Sequence, residues 1–305
     1  MKMISIGNQL KNASQISLGC MRISDLSPKD ADYLIRTAID EGINFFDHAD
    51  IYGGGKSETI FSNTIKHTPS LREDMLIQTK CGIRKGFFDF SKEHIVKSVD
   101  QSLKRLGTDY IDVLLLHRPD TLIEPEEVAD AFEELYQSGK VRHFGVSNQN
   151  PMQMELLSKF TKQKLIANQL QFSIMHSGMI DCGINVNMLV DAGIDRDGSI
   201  LDYCRLNDIT IQAWSPFQYG FFEGVFLDND KFPELNKVID RIAKEQGVTN
   251  SAIATAWIMR HPANIQPIVG TTNPNRLKDI CQASNVSLSR EEWYEIYRAA
   301  GNILP

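Results

Sequence analysis

The chain has 305 residues with ordinary apolar and charged fractions, and its formal net charge at pH 7 is −7. Because no basic residues cluster, we expect neither a nucleic-acid partner nor an anionic-membrane surface. The first residues lack the apolar core of a signal peptide, and no run approaches ~18 apolar residues. The sequence therefore predicts a cytoplasmic globular protein without membrane attachment.

The cysteine and histidine patterns argue against several kinds of site. The five cysteines are scattered and form no CxxC pair, so neither a disulfide framework nor a structural zinc site is expected. The seven histidines show no HExxH or comparable spacing, and we predict no metal site. The chain also lacks the GxGxxG motif and the Walker P-loop, two common nucleotide-binding motifs.

Strand-like and helix-like segments alternate along the chain. Residues 1–9 are expected to form a small strand or hairpin ahead of this alternation. Strands are predicted near residues 15–20, 42–47, 75–80, 110–116, 140–147, 165–171, 209–214 and 265–270. Helices are predicted near residues 28–41, 57–66, 91–106, 125–138, 150–160, 198–206, 234–246 and 274–284.

Eight strands, each followed by a helix, is the count for an α/β (β/α)8 TIM barrel. Two additional helices, at 249–260 and 289–300, lie outside this repeat. No Pro-, Gly- or Ser-rich linker divides the chain, so residues 1–305 are predicted to form a single domain.

Helix boundaries are marked by capping residues. The pairs Ser27-Pro28 and Asn150-Pro151 place Pro at a first helical position, and Ser57 and Ser91 are predicted to cap the helices that follow them. Helix ends are predicted at glycines that accommodate a left-handed cap: Gly42, Gly107, Gly139 and Gly247.

Several predicted strands end on residues that can transfer protons. The second strand stops at Asp47, and Tyr52 follows in a loop with three glycines; the third strand ends on Lys80 and the fourth on His117. Each residue also has an ordinary structural interpretation, such as a turn cap, a packed aromatic ring, a solvated charge or a core histidine. A barrel, however, would bring all four side chains to one mouth.

Carbonyl reduction is the chemistry that fits this set. A Tyr hydroxyl normally titrates near ~10, and an adjacent Lys80 ammonium would favour the phenolate by ~1–3 pKa units. Asp47 would keep that ammonium charged and oriented, while His117 would hydrogen-bond the same substrate oxygen that Tyr52 protonates. Hydride would then reach the carbonyl from one side and the proton from Tyr52.

The sequence resembles the aldo-keto reductase family from its first strand to its last helix. The motifs that carry this resemblance are GINFFDHADIYG, LIQTKCG, DVLLLHRP, HFGVSN, NQLQFS, QAWSPF and PIVGTTNPNRL. The resemblance implies NADPH-dependent, reversible reduction of aldehydes or ketones, with Asp47, Tyr52, Lys80 and His117 as the catalytic tetrad and Tyr52 as proton donor. It also implies a barrel that binds the dinucleotide without a Rossmann fold.

The resemblance also implies a set of cofactor contacts. Trp214 stands where the family usually has a Tyr stacked on the nicotinamide, and Arg276 suits a 2′-phosphate, which favours NADPH with NADH use possible. The expected cofactor-binding residues are Ser147, Asn148, Gln169, Trp214, Ser215, Pro216, Phe217, Gly220, Gly270, Thr271, Thr272, Asn273 and Arg276.

The substrate pocket is expected to be formed by loops. The longest irregular stretch, Met175–Gly198, should follow strand six at the carboxyl ends of the strands and contribute with the run Phe217–Phe222. Three phenylalanines after strand three are further candidates: Phe87, Phe88 and Phe90. Together they favour an apolar or aromatic carbonyl compound.

Two functions remain open at this stage. His48, where the family usually has Thr, and the AWSPF run resemble a bacterial oxidoreductase branch of the family whose members often lack a defined substrate. The first function is a reductase of a small-molecule carbonyl substrate, acting as a monomer or weak homodimer. The alternative is a cofactor-binding regulatory protein with slow turnover, as in potassium-channel β subunits. A sugar-phosphate lyase or isomerase on the same barrel is disfavoured because it would not need Trp214 or Arg276.

Overall fold

Eight parallel strands close a barrel in the computed structural model, which describes all residues from 1 to 305. Neighbouring barrel strands follow chain order, and the last strand pairs with the first, which confirms the predicted (β/α)8 architecture. A hairpin of β1 (Met3–Ile6) and β2 (Leu10–Ser14) precedes them. The barrel strands are β3 (Ser17–Gly19), β4 (Phe45–Asp47), β5 (Leu76–Cys81), β8 (Ile111–Leu116), β9 (Val141–Ser147), β10 (Leu165–Gln171), β11 (Thr210–Trp214) and β14 (Gln266–Val269). Two short hairpins lie in loops: β6 (Ile83–Arg84) with β7 (Phe87–Phe88), and β12 (Gln218–Tyr219) with β13 (Gly224–Val225).

The N-terminal hairpin closes one end of the barrel. Its apolar residues Ile6, Leu10 and Ala13 form a buried cluster with strand residues that include Phe45 and Ile166. At the turn of the hairpin, Gly7 has φ +56°, and a Cβ there would lie 2.4 Å from the Cβ of Ile166. Only glycine tolerates both the backbone angle and this close approach. The amino-terminal end of the barrel is therefore sealed, and a cavity is left at the carboxyl ends of the strands.

Twelve α-helices accompany the strands, and the predicted segments are confirmed to within a few residues. Two of them, α10 and α12, are the predicted additional helices. The helices are α1 (Pro28–Asp40), α2 (Lys56–His67), α3 (Leu71–Asp74), α4 (Lys92–Leu106), α5 (Pro125–Gln137), α6 (Pro151–Phe160), α7 (Gly178–Ile184), α8 (Ile200–Leu206), α9 (Pro233–Gln246), α10 (Asn250–Met259), α11 (Pro274–Cys281) and α12 (Arg290–Ala299).

Most predicted caps are present, but one prediction was wrong. Ser27, Ser91 and Asn150 accept hydrogen bonds from the first turns of α1, α4 and α6. Ser57 instead lies inside α2, which begins one residue earlier, and its hydroxyl donates to the carbonyl of Met21 at 3.1 Å. A serine in a first turn can serve a neighbouring loop as well as its own helix, and the local sequence does not distinguish the two.

The two additional helices pack together on the outside of the barrel. Trp257 of α10 and Trp293 of α12 stack with ring centroids 4.7 Å apart. Each indole N–H donates a 3.0 Å hydrogen bond to the backbone carbonyl of the other tryptophan. Because both polar groups are satisfied, the pair buries two large aromatic rings without leaving an unpaired donor.

No helix in the structure has the length and apolar character required to cross a lipid bilayer.

Candidate active site

A cavity of about 710 Å³ opens at the carboxyl ends of the strands. Three of the four residues predicted to carry the chemistry, Asp47, Tyr52 and His117, line this cavity, and the fourth, Lys80, lies directly behind them. Barrel geometry explains this convergence, because parallel strands deliver their last side chains to one rim. The loop from Asp47 to Tyr52 is short enough to return the tyrosine ring to that rim.

Lys80 is the centre of the buried polar group. Its side chain is fully buried, and Nζ lies 2.8 Å from Asp47 Oδ2 and 2.9 Å from Asp47 Oδ1. The same ammonium donates to the carbonyl of His48 at 2.7 Å and lies 3.2 Å from the Tyr52 hydroxyl. A charged pair removed from water is stable only with such complete hydrogen bonding. Tyr52 is thereby placed next to a fixed positive charge.

The pKa values of Lys80 and Tyr52 keep the Lys80 ammonium charged and the Tyr52 phenol protonated. Burial opposes the charge on Lys80, but the Asp47 carboxylate and Tyr52 outweigh it, and the pKa of Lys80 is raised. Burial also raises the pKa of Tyr52, and the opposing effect of Lys80 does not overcome it. The sequence predicts that Lys80 dominates and favours the phenolate. In this structure desolvation is the larger effect, so Tyr52 holds its proton at neutral pH.

His117 stands beside Tyr52 as a neutral imidazole. The two rings meet edge to face with centroids 5.9 Å apart. Burial lowers the pKa of His117 well below its ordinary value, and the positive charges of Lys80 and Arg118 lower it further. A neutral ring can donate a hydrogen bond from one nitrogen to a substrate oxygen without competing with Tyr52 as the acid.

Sequence analysis missed a chain of buried glutamines beneath this group. Gln78 donates to Asp47 Oδ1 at 2.6 Å and to the side chain of Gln212 at 2.8 Å. Gln212 in turn donates to Gln266 at 2.9 Å, and Gln266 donates to the carbonyl of Ser14 in the N-terminal hairpin at 2.8 Å. The available signal was a glutamine in each of three predicted strands, at Gln78, Gln212 and Gln266. These amides hold the carboxylate from below and link it to the sealed end of the barrel.

A second missed group lies behind the tyrosine loop. Glu58 of α2 is fully buried, accepts a hydrogen bond from Thr79 at 2.7 Å and pairs with Arg105 of α4 at 2.6 Å. Burial and the nearby Glu58 raise the pKa of Asp50 to about 7. His48 is also fully buried, and burial together with Lys80 lowers its pKa to about 3. Glu58 and Arg105 lie behind the loop that carries Tyr52, and His48 and Asp50 are part of that loop.

The residues predicted to hold the nicotinamide carboxamide form one hydrogen-bonded set. Asn148 donates to the Ser147 hydroxyl at 2.7 Å and accepts from the Trp214 indole at 3.2 Å. Ser147 donates to the backbone carbonyl of Gln169, whose side chain donates to Asp47 at 3.0 Å. This set orients Trp214 at the rim and connects it to the buried carboxylate.

Most of the predicted cofactor residues line the cavity, and three do not. Ser147, Asn148, Gln169, Trp214, Ser215, Pro216, Phe217, Gly270, Thr271 and Arg276 are at its wall. The three outside are Gly220, whose carbonyl accepts from Gln171; Thr272, in the loop; and Asn273, which caps α11. Residues at the start of α10 are part of the wall and were not predicted: Thr249, Asn250 and Ser251.

The loop predictions for the substrate pocket were mostly wrong. No residue of Met175–Gly198 lines the cavity, and this stretch contains α7 and a short 3-10 helix at Asp191–Gly193. Phe87 and Phe88 are exposed on the β6–β7 hairpin, and Phe90 is buried against Gly82. Phe217 and Phe222 of the predicted run Phe217–Phe222 do line the cavity, and Ile51, Ile83 and Trp214 add to its apolar wall.

A group of possible metal ligands lies away from the cavity. Cys182, Asp195 and Asp197 place their ligand atoms within 4.8 Å of one another in the stretch that follows β10. The two aspartates, however, bind backbone N–H groups of their own turn, as Asp195 does at Gly198 and Ser199. A loop stabilised in this way accounts for the clustering without a metal.

The far end of the cavity has the character of a dinucleotide phosphate site. First-turn residues of α10 and α11 line it, and helix amino termini favour bound anions. Arg276 lines this end, is exposed and makes no ion pair with the chain. The cavity therefore extends from the buried Tyr52 to the first turns of two helices and an unpaired arginine, and its residues fit an extended dinucleotide.

The fold and the site together define an oxidoreductase that uses NAD(P)H. A model of the Aldo/keto reductase family matches residues 15–300. The chain therefore belongs to the aldo/keto reductase family, in which NADPH is the typical cofactor.

Individual relatives agree with this family assignment. The chain is 38% identical over 300 residues to the uncharacterized oxidoreductase YcsN of Bacillus subtilis, covering 94% of both chains. It is 35% identical over 314 residues to a 6-dehydroglucose reductase of Agrobacterium fabrum, covering 98% of both. Among solved structures, the thermostable aldo-keto reductase Tm1743 in complex with the inhibitor epalrestat matches with a TM-score of 0.80 and 26% identity, covering 98% of this chain and 100% of the other.

Proposed function

We propose that this protein reduces an aldehyde or ketone to an alcohol with NADPH, and that Tyr52 is the proton donor. The observation that carries the proposal is the contact of 3.2 Å between the Tyr52 hydroxyl and the fully buried Lys80 ammonium, which Asp47 holds in place. A phenol whose pKa is raised by burial keeps its proton until a substrate oxygen needs it.

Each residue of the tetrad then has a distinct role. Tyr52 donates its proton to the carbonyl oxygen, and Lys80 stabilises the phenolate that is left. Asp47 keeps Lys80 charged and fixed, and neutral His117 orients the carbonyl oxygen by a hydrogen bond. The distances among Lys80, Asp47 and Tyr52 support these roles.

The dinucleotide would lie along the cavity from Trp214 to Arg276. When bound, it supplies the hydride for the carbonyl carbon. Ser147, Asn148 and Gln169 would hold the carboxamide, and Trp214 offers an aromatic face to the ring. Arg276, with its planar fork and no ion pair, suits the 2′-phosphate and supports a preference for NADPH with NADH as a weaker alternative.

The carbonyl substrate is proposed to be small and partly apolar. Ile51, Ile83 and Phe222 supply apolar wall in the cavity that Tyr52 also lines. Because a similar protein from Agrobacterium fabrum is a 6-dehydroglucose reductase, a polyhydroxylated aldehyde belongs in the test panel beside aromatic aldehydes.

The first test is binding followed by turnover. The purified protein is titrated with NADPH and NADH while tryptophan fluorescence is recorded, and quenching with a tighter NADPH curve is expected. Turnover of the aldehyde panel is then measured by loss of NADPH absorbance. No quenching by either nucleotide would overturn the proposal, and binding with no carbonyl reduced would favour the regulatory alternative.

Tyr52→Phe tests the proton donor. The variant should bind NADPH as the parent does but reduce carbonyls about 10²-fold more slowly, since only the hydroxyl is removed. A variant that keeps most of its activity would remove Tyr52 from the proposed mechanism.

A further inference from the structure

Arg118 is an unpaired cation in the wall of the cavity. It follows His117 in the chain and lines the same space as Tyr52. Its guanidinium carbon lies 5.7 Å from the ring centroid of Trp214. The side chain is half-buried, and neither an ion pair nor a hydrogen bond to the chain satisfies its five N–H donors.

Other partly buried arginines in this protein are paired. Arg72 contacts Asp112, and Arg105 contacts Glu58. The acid closest in sequence to Arg118 is Asp120, but its carboxylate accepts from the backbone N–H groups of Phe90 and Leu122. The Asp120 carboxylate therefore stabilises the loop and does not pair with Arg118, whose guanidinium faces the cavity.

The charges at this end of the cavity do not cancel. Lys80 is neutralised by Asp47 at 2.8 Å, and burial keeps the pKa of His117 well below its ordinary value. Arg118 then contributes a positive charge in a half-buried position, where no hydrogen-bonding group of the protein replaces its lost hydration. A negatively charged group of a ligand would take the place of the lost hydration. Guanidinium–carboxylate pairs form two parallel hydrogen bonds.

We infer that Arg118 binds a carboxylate on the substrate, so that the carbonyl compound reduced here is an oxo-acid. This inference rests on the proposed function, because it names the substrate class of the same site. The apolar walls at Ile51, Ile83 and Phe222 would contact the carbon skeleton between the carbonyl and the carboxylate. A single planar cation above an indole suits a planar carboxylate better than a phosphate, which usually needs several donors.

The test compares aldehydes that differ only in this charge. The pairs are 3-formylbenzoate with methyl 3-formylbenzoate, and 4-oxobutanoate with its methyl ester. In at least one pair, the parent protein should reduce the acid with a kcat/KM roughly 10- to 100-fold above that of the ester, mainly through KM. Arg118→Gln should abolish this preference by raising KM for the acid, while leaving the affinity for NADPH unchanged; Arg118→Lys should retain part of it.

Arg22 provides a matched control, because it lines the same cavity, is exposed and makes no ion pair. Arg22→Gln should keep the preference for the acid. An equal loss in both variants would mean that the general field of the mouth, and not Arg118, attracts the acid, and would overturn the assignment. Equal rates for acid and ester in both pairs would overturn it as well.

A binding measurement separates this inference from catalysis. With NADP⁺ present, the product alcohol 3-(hydroxymethyl)benzoate should raise the unfolding temperature of the parent protein but not of Arg118→Gln. Reduction of neither member of any pair, by a protein that binds NADPH, would count against the proposed function. Reduction of the esters without a preference for the acids would leave the proposed function intact and overturn only the role of Arg118.

Discussion

Glu58 accepts a hydrogen bond of 2.7 Å from Thr79, the residue immediately before Lys80 in β5. The same carboxylate pairs with Arg105, so one buried acid ties α2 to both β5 and α4. Because α2 begins directly after the turn that carries Tyr52, this contact fixes the spacing between the loop and the strand that supplies Lys80.

Glu58→Gln tests the contribution of this acid to stability. The amide would keep a hydrogen bond to Thr79 but leave the partly buried Arg105 without a counter-charge. Loss of one partner of a buried pair typically costs about 3–5 kcal/mol, and the lower end applies because Arg105 is 24% exposed. Urea unfolding measures this, with Glu245→Gln, which breaks an exposed pair with Arg241, as a control expected to cost less than about 1 kcal/mol. Equal costs in the two variants would contradict a special role for Glu58.

Lys80→Met separates stability from catalysis at the buried pair. Removal of the ammonium leaves the Asp47 carboxylate buried with amide partners only, and a stability loss of about 3 kcal/mol or more is expected. The double variant with Asp47→Asn should regain much of the stability, since no unpaired charge remains, but none of the carbonyl reduction. Unfolding curves and turnover on the three proteins give the comparison. Recovered turnover in the double variant would show that Lys80 acts only as a structural partner.

Arg276→Ala tests which phosphate the far end of the cavity recognises. NADPH affinity should fall roughly 10-fold or more because a charge-assisted contact to the 2′-phosphate is lost. NADH affinity should change little, since NADH lacks that phosphate. Fluorescence titration of both nucleotides makes the measurement. Similar losses for the two would mean that Arg276 contacts a group common to both.

Asp50 predicts a pH dependence of stability. Burial and Glu58 raise its pKa from 3.8 to about 7, so the folded state holds a proton that the unfolded state releases. The stabilising contribution of Asp50 to the folded state is therefore fully present below about pH 4 and is lost as the pH rises to about 7. Above that pH, the effect of Asp50 on stability no longer changes. Asp50→Asn removes this loss. The free energy of unfolding of the variant, relative to that of the parent protein, should therefore rise by on the order of 2–4 kcal/mol between pH 4 and pH 8.

The parent protein and Asp50→Asn must be compared by the difference in their free energies of unfolding, because His48 changes the stability of both with pH in the opposite direction. Its pKa is lowered to about 3, so its contribution is present above about pH 6.5 and is lost as the pH falls toward 3. Parent and variant share this effect, and it cancels in the comparison. A constant difference across the pH range would show that Asp50 does not titrate as its burial implies.

The barrel was predictable because its signals are local. Apolar runs, proline at helix starts and glycine at helix ends each depend on a few neighbouring residues, and strand ends such as Asp47 and Lys80 follow from them. Once the strands are placed, the topology brings these side chains together without further information.

The features that the sequence did not predict depend on contacts between residues that are distant in sequence. The pairing of Glu58 with Arg105 joins residues 47 apart, and the hydrogen bond between Gln78 and Gln212 joins residues 134 apart. The stretch from Met175 to Gly198 was placed at the pocket from its position after a strand, but it folds into its own helix outside the cavity. Loop direction is set by tertiary packing, which periodicity does not encode.

The four oxygens around Lys80 Nζ have a consequence for chemical labelling. Asp47 Oδ1 and Oδ2, the His48 carbonyl and the Tyr52 hydroxyl surround an ammonium that has only three hydrogens, inside a fully buried side chain. An amine-reactive reagent needs both access and a deprotonated nitrogen, and the native fold denies both. Lys80 should thus be modified only when the barrel opens, and the rate of its acylation would report global unfolding while surface lysines react at once.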